Sequence, residues 1–136
     1  MTRYLLDSGI ASDLINRRGL VPQRVREARA RGDRIGLGTP VLGELIAGIW
    51  NSNDPQRHLA ALWRSIAPLA LWTFDKGAAM EFGRLQAELR RVGRLMQIPD
   101  LQTAAIATYL GNCIILSKDS DLRSVPGLKV EDWSLP

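Results

Sequence analysis

The chain has 136 residues, about one domain's worth, and its 46% hydrophobic and 24% charged content is that of a folded protein, not a disordered one. One cysteine, Cys113, excludes an internal disulfide, and one histidine, His58, leaves too few soft ligands for a zinc site. No apolar run approaches the roughly 20 residues that span a bilayer. Asp7 comes too early to leave room for a signal peptide's apolar region, so the expected compartment is the cytoplasm and no membrane partner is expected.

Strands and helices alternate along the chain. Tyr4-Leu5-Leu6 reads as a strand stopped by Asp7-Ser8-Gly9. Ile10, Leu14 and Ile15 then recur at helical spacing, and Pro22 opens an arginine-rich helix that Gly32 ends. Arg34–Gly38 reads as a second strand. Thr39 and Pro40 follow as a cap and first-turn pair for a helix carrying Val41, Leu42, Leu45, Ile46 and Ile49. After the loop Asn51–Pro55, Leu59, Leu62, Trp63 and Ile66 mark an amphipathic helix. Leu69–Trp72 is a third strand, and Asp75 caps a long helix that ends near Gly93. Met96–Pro99 reads as a loop leading to Asp100, which starts an alanine-rich helix ended by Gly111 and Asn112. Cys113–Leu116 is the clearest strand, apolar throughout as in the buried centre of a parallel sheet. A turn at Val125-Pro126-Gly127 precedes a last strand at Leu128–Val130. The alternation predicts a single domain over 1–136, a three-layer α/β/α sandwich around a parallel sheet of four or five strands.

The net charge of +4 is unevenly spread. Between Arg17 and Arg34 seven arginines face only Glu27 and Asp33, and a second group, Arg84, Arg90, Arg91 and Arg94, faces Glu88. Fifteen of the 18 basic residues are arginine, whose planar fork suits phosphate or carboxylate. The balance favours nucleic acid or an acidic protein partner; two solvated helix faces are the plain alternative.

Most of the legible chemistry lies in a few acids. Asp7 ends the first strand, Asp119 and Asp121 follow the fourth, Glu44 sits in the opening turns of the helix after the second, and Asp100 starts the helix that feeds the fourth. In an open parallel sheet these positions share the carboxyl edge, where ligands bind. Each acid alone could be a helix cap or a dipole complement. Glu44, however, lies among Leu42, Leu45 and Ile46, where a carboxylate needs compensation. Four acids on one edge also repel one another unless a proton or a cation lies between them. Oxygen-only ligands select Mg²⁺ or Mn²⁺, and paired divalent ions are a standard device for attack on phosphodiesters.

The order and spacing of these segments resemble the PIN-domain ribonucleases of the VapC type, the toxins of type II toxin–antitoxin pairs, over essentially the whole chain. Leu5-Leu6-Asp7-Ser8, Gly43-Glu44-Leu45-Ile46-Ala47-Gly48, Pro99-Asp100 through Ala107, and Ile115 through Leu122 are similar to that family's acidic motifs, and Val125 through Trp133 to its C-terminal ending. Gly9, Thr103 and Leu122 depart from its usual residues. The resemblance implies a metal-dependent endoribonuclease. Asp7 and Asp100 would bind the first Mg²⁺ or Mn²⁺. Glu44 and Asp119, the latter preferred to Asp121 because it lies nearer the strand end, would complete the pocket. The implied partners are RNA and a small antitoxin, with a homodimer as the expected assembly. Leu20, Val21, Ile49 and Trp50 beside arginines suit an acidic antitoxin segment, a homodimer interface or internal packing.

Other readings attach to single residues. Ser8 is either a helix cap or a hydrogen-bond partner of the metal site. His58 is a surface histidine, and Cys113 a small hydrophobe in the sheet. Trp50, Trp63 and Trp72 are core or dimer contacts, and Trp133 pins the last strand. A catalytically silent binding module of the same fold is one competing reading. A phospho-acceptor receiver domain is another; it would have to use Asp75, after the third strand, and Lys118.

Overall fold

The computed structural model describes residues 1–136. In chain order the elements are β1 (Arg3–Leu6), α1 (Ser8–Ile15), α2 (Val21–Ala30), β2 (Arg34–Gly38), α3 (Thr39–Trp50), α4 (Pro55–Ile66), β3 (Ala70–Trp72), α5 (Lys76–Arg91), α6 (Ile98–Leu110), β4 (Cys113–Leu116) and β5 (Lys129–Glu131). A short 3-10 turn over Ser120–Ser124 links β4 to β5. The five strands form one sheet in the order β3-β2-β1-β4-β5, with every neighbouring pair parallel. Both faces are covered, which explains why β1 and β4 read as continuous apolar runs.

The strand period of two divides the core. Tyr4, Leu6, Ile35, Leu37 and Leu116 pack on one face with Ile10, Val21, Val25, Ala28 and Val41 of the first three helices. Leu5 and Ile115 point the other way, onto Leu85, Leu89, Leu101, Ala105 and Ile106 of α5 and α6. This is the expected three-layer sandwich, with the sheet at five strands.

Three local details set the layers. A Cβ on Gly36 would come within 2.6 Å of the Trp72 ring and 2.8 Å of the Ala70 carbonyl, so only glycine lets β3 lie against β2 there. Gly111 turns the chain from α6 into β4 at φ 68°, a conformation glycine adopts without strain. Trp133 is buried at 5% exposure, packs on Tyr4 with ring centroids 4.7 Å apart and donates its indole N–H to Glu131 Oε1 at 2.9 Å, pinning the last strand.

Several boundaries move. The helix that was expected to start at Asp100 begins at Ile98, with Pro99 in its first turn and Gln97 as a cap that uses no side chain. Proline in the first turn loses no hydrogen bond and presets φ, so Ile98 and Pro99 extend the helix where they read as loop. Thr39 lies inside α3 instead of capping it; its hydroxyl accepts from the Phe74 N–H at 3.1 Å and ties α3 to the segment after β3. Val21 is fully buried, so it belongs to the core and offers nothing to a partner, whereas Trp50 is 59% exposed.

Candidate active site

The sheet order reverses between β1 and β4: the chain builds outward through β2 and β3, then returns to the other side of β1. A crevice opens at the carboxyl ends of strands flanking such a switch point. The register pairs Leu6 with Leu116, so the next residues, Asp7 and Ser117, emerge side by side into it.

Asp7 is buried, at 9% exposure. It caps α1, its Oδ1 accepting the Ile10 N–H at 2.9 Å. Its Oδ2 accepts a short hydrogen bond from the Ser117 hydroxyl. Burial raises its pKa above the ordinary 3.8, against the lowering effects of the Ile10 N–H and the Ser117 hydroxyl; the Asp119 charge raises it further and Lys118 lowers it. The cap at this helix is therefore Asp7, and Ser8 is the first helical residue.

Ser117, 1% exposed, serves two acids. While donating to Asp7 its Oγ accepts the Asp119 N–H at 2.9 Å, and Asp119 Oδ1 in turn accepts the Asp121 N–H at 2.9 Å. The turn that carries Asp119 is thus fastened to the carboxylate it faces. The sequence reading had passed over Ser117; its signal was position, one residue past a strand and in register with Asp7. Asp13 was also missed. It is buried on α1 at 8% exposure and pairs with Lys118 Nζ at 2.7 Å, closing the turn onto α1 from the other side.

Asp100 is half-buried in the first turn of α6. Burial raises its pKa, followed by the charges of Asp119, Asp7, Glu44 and Asp121. Glu44 is exposed on α3, contrary to the expectation that its apolar neighbours enclose it; Leu45 packs against the core, Leu42 and Ile46 are half-buried, and the carboxylate is left at the rim. Its pKa is also raised, by partial desolvation and then by Asp7. Asp119 acts on both Asp7 and Asp100, whereas Asp121 acts on Asp100. The fold brings Asp7, Glu44, Asp100 and Asp119 to one edge, where each of the first three holds its proton more tightly than a free carboxylate.

The carboxylates are coupled without being drawn to ligand spacing: no three acids, histidines or cysteines form a ready-made metal cluster. As a donor set they nevertheless fit a hard divalent cation. All are oxygens, they repel one another, and the nearest cation, Lys118, is held by Asp13. Asp75 is elsewhere. It caps α5 by accepting the Ala78 N–H at 3.0 Å after β3, which is an edge strand. With Lys118 committed to Asp13, the receiver-domain arrangement is absent.

The basic clusters are unequal. Of the seven arginines between Arg17 and Arg34, only Arg31 is in an ion pair, with Asp33 at 2.8 Å. Arg84 is engaged by Glu81 at 2.6 Å and Glu88 at 2.8 Å, so the second cluster is reduced to Arg90, Arg91 and Arg94. Cys113 packs among apolar neighbours, and burial pushes its thiol up to about 12. No helix is long and apolar enough to cross a membrane.

Comparison with known proteins gives concordant matches. The PIN domain family model matches residues 4–128. A tRNA(fMet)-specific endonuclease VapC from Shigella flexneri is 30% identical over 98% of this chain and 100% of its own length. The Ribonuclease VapC2 of Haemophilus influenzae is 26% identical over 98% and 99%. Among solved structures, a DNA-bound VapBC complex from Salmonella typhimurium superposes with a TM-score of 0.88 at 26% identity, covering 98% of this chain and 99% of that one.

Proposed function

This chain belongs to the PIN domain family, with VapC ribonucleases among its relatives, and from that premise we propose that it is an endoribonuclease toxin whose acidic edge hydrolyses RNA phosphodiester bonds with Mg²⁺ or Mn²⁺. The observation that carries the reading is the convergence of Asp7, Glu44, Asp100 and Asp119, four acids from distant segments, at the one switch point of the sheet. Asp7 and Asp100 would hold the cation. When bound, it supplies positive charge and Lewis acidity for the attacking water and the scissile phosphate.

The remaining roles belong to the chain's own side chains. Ser117 orients Asp7 and fixes the backbone of Asp119. Glu44, exposed at the rim, and Asp119 complete the pocket and position the attacking water or a second ion. The unpaired arginines between Arg17 and Arg34 hold the RNA backbone by charge and carry no base readout. The protein partner is a small antitoxin, as in the VapBC complexes that the fold resembles. A homodimer is the proposed assembly, for which Trp50 and Trp63, 59% and 49% exposed, are available.

The test is cleavage of cellular RNA by the purified chain with Mg²⁺, with Mn²⁺ and in EDTA. Cleavage with either ion and none in chelator is expected. Full cleavage in EDTA would overturn the metal assignment, and no cleavage in any condition would overturn the ribonuclease reading.

A further inference from the structure

Outside the buried centre of the acidic edge, a groove of about 550 Å³ opens between α1, α3 and α4. It is continuous with that edge, because Glu44 forms part of its wall. On the ribonuclease reading above, we propose that this groove is a nucleotide subsite, taking one unstacked nucleotide of a single-stranded RNA next to the bond to be cut.

Three features favour that occupant. The size lies within the range of small-ligand pockets. Part of the lining is apolar, with the half-buried Ile15, Leu45 and Ile49 available to the face of a base. The remaining lining includes Ser12, Asn16, His58 and Arg64, polar groups that a base edge and a phosphate can use.

Those polar groups are placed for a base and its phosphate. Ser12 and Asn16 stand one turn apart on α1. The Asn16 Nδ2 donates to the Ser12 carbonyl at 2.9 Å and to its Oγ at 3.2 Å. This holds the amide in place while its Oδ1 stays available as an acceptor and the Ser12 hydroxyl as a donor. Unstacked bases are read by such groups along their edges. On the opposite wall α4 supplies Arg57, His58 and Arg64. Arg57 is paired with Asp54 at 3.4 Å, whereas Arg64 is in no ion pair and is open to a phosphate. His58, half-buried on this wall, gains a setting that its isolated place in the sequence did not suggest.

Gly48 provides a clean test, since a Cβ there meets nothing within 4 Å and the groove lies beside it. Gly48→Phe should fill the space while the added side chain favours the helix. Gly83→Phe on α5, also without a neighbour within 4 Å, is the control. Two quantities are measured for each variant and for Arg64→Ala: anisotropy of a fluorescein-labelled random-sequence oligoribonucleotide in EDTA, and KM and kcat with Mg²⁺. Gly48→Phe should weaken binding and raise KM by about tenfold, with kcat within about twofold and the melting temperature kept, as loss of one stacked base predicts. Arg64→Ala should act in the same direction, and Gly83→Phe should match the wild type.

Unchanged binding and KM in a folded Gly48→Phe chain would overturn the inference. A wild type that cleaves no RNA sinks the ribonuclease reading separately: if it still binds the oligoribonucleotide and Gly48→Phe does not, the subsite stands.

Discussion

Asp7 and Asp100 should be alike in catalysis and opposite in stability. Burial, and then the charges of four other acids, raise the Asp100 pKa, and its side chain makes no hydrogen bond that holds the fold. Asp100→Asn removes repulsion worth up to about 1 kcal/mol for a partly exposed charge pair. It should raise the metal-free melting temperature by roughly 2–5 °C in a domain of this size. Asp7→Ala removes the α1 cap, about 0.5–2 kcal/mol, and strips the buried Ser117 hydroxyl of its acceptor, about 1–3 kcal/mol. Relief of buried charge offsets part of this, leaving a net loss of about 2–3 kcal/mol, or roughly 6–15 °C. Both variants should lose RNA cleavage by at least about a hundredfold. Thermal melts in EDTA beside a fluorogenic RNA assay decide it. Equal shifts of the same sign would refute the division into one structural and one purely functional acid, and a destabilised Asp100→Asn that still cleaves would make Asp100 a helix-start residue only.

The other expectations follow from the same network. Ser117→Ala should lower activity about 10- to 100-fold, as loss of a ligand-orienting partner does, with Ser117→Thr recovering most of it; equal loss in both would place the effect in packing. Because Asp7, Glu44 and Asp100 have folded pKa values raised above 3.8, 4.5 and 3.8, their protonation favours the folded state. The contribution is complete below those ordinary values and is lost as pH rises through the higher folded ones. The melting temperature in EDTA should therefore gain a stabilising contribution as pH falls toward the ordinary carboxylate range, with a smaller gain in Asp100→Asn, and an Asp100→Asn profile identical to that of the wild type would contradict the coupling.

The layer order and all five strands were legible in the sequence because a doubly covered parallel sheet writes its strands as short apolar runs between helical periods. The acids were legible for a related reason: strand ends and helix starts are marked locally, at Asp7, Glu44, Asp100 and Asp119, and topology gathers such points on one edge. Relations between those points were harder to read. Glu44 was expected to be enclosed because Leu42, Leu45 and Ile46 surround it in sequence, yet a helix turns each neighbour by about 100°, so that Leu45 reaches the core while the carboxylate stays at the rim. Ser117 and Asp13 act through partners 110 and 105 residues away. Such pairings exist only once β4 has chosen β1 as its neighbour, which no local pattern encodes.

That choice also explains why the acids remain crowded. Left free, four carboxylates would swing apart and let water screen them. Here Asp7 is held by a helix N–H and a buried hydroxyl, the Asp119 backbone by the same hydroxyl, and the intervening Lys118 by Asp13. Their positions are therefore fixed, and burial, followed by the neighbouring charges, raises the proton affinity of Asp7, Glu44 and Asp100. An edge prevented from relaxing has only two ways to lower its energy: take up protons, or take up positive charge from outside. On the proposed function the second route is the one used, the charge coming from a divalent ion or from a basic side chain of a protein partner. Catalysis and inhibition would then compete for one site, in which the hydroxyl of Ser117 holds Asp7 and the Asp119 backbone in place.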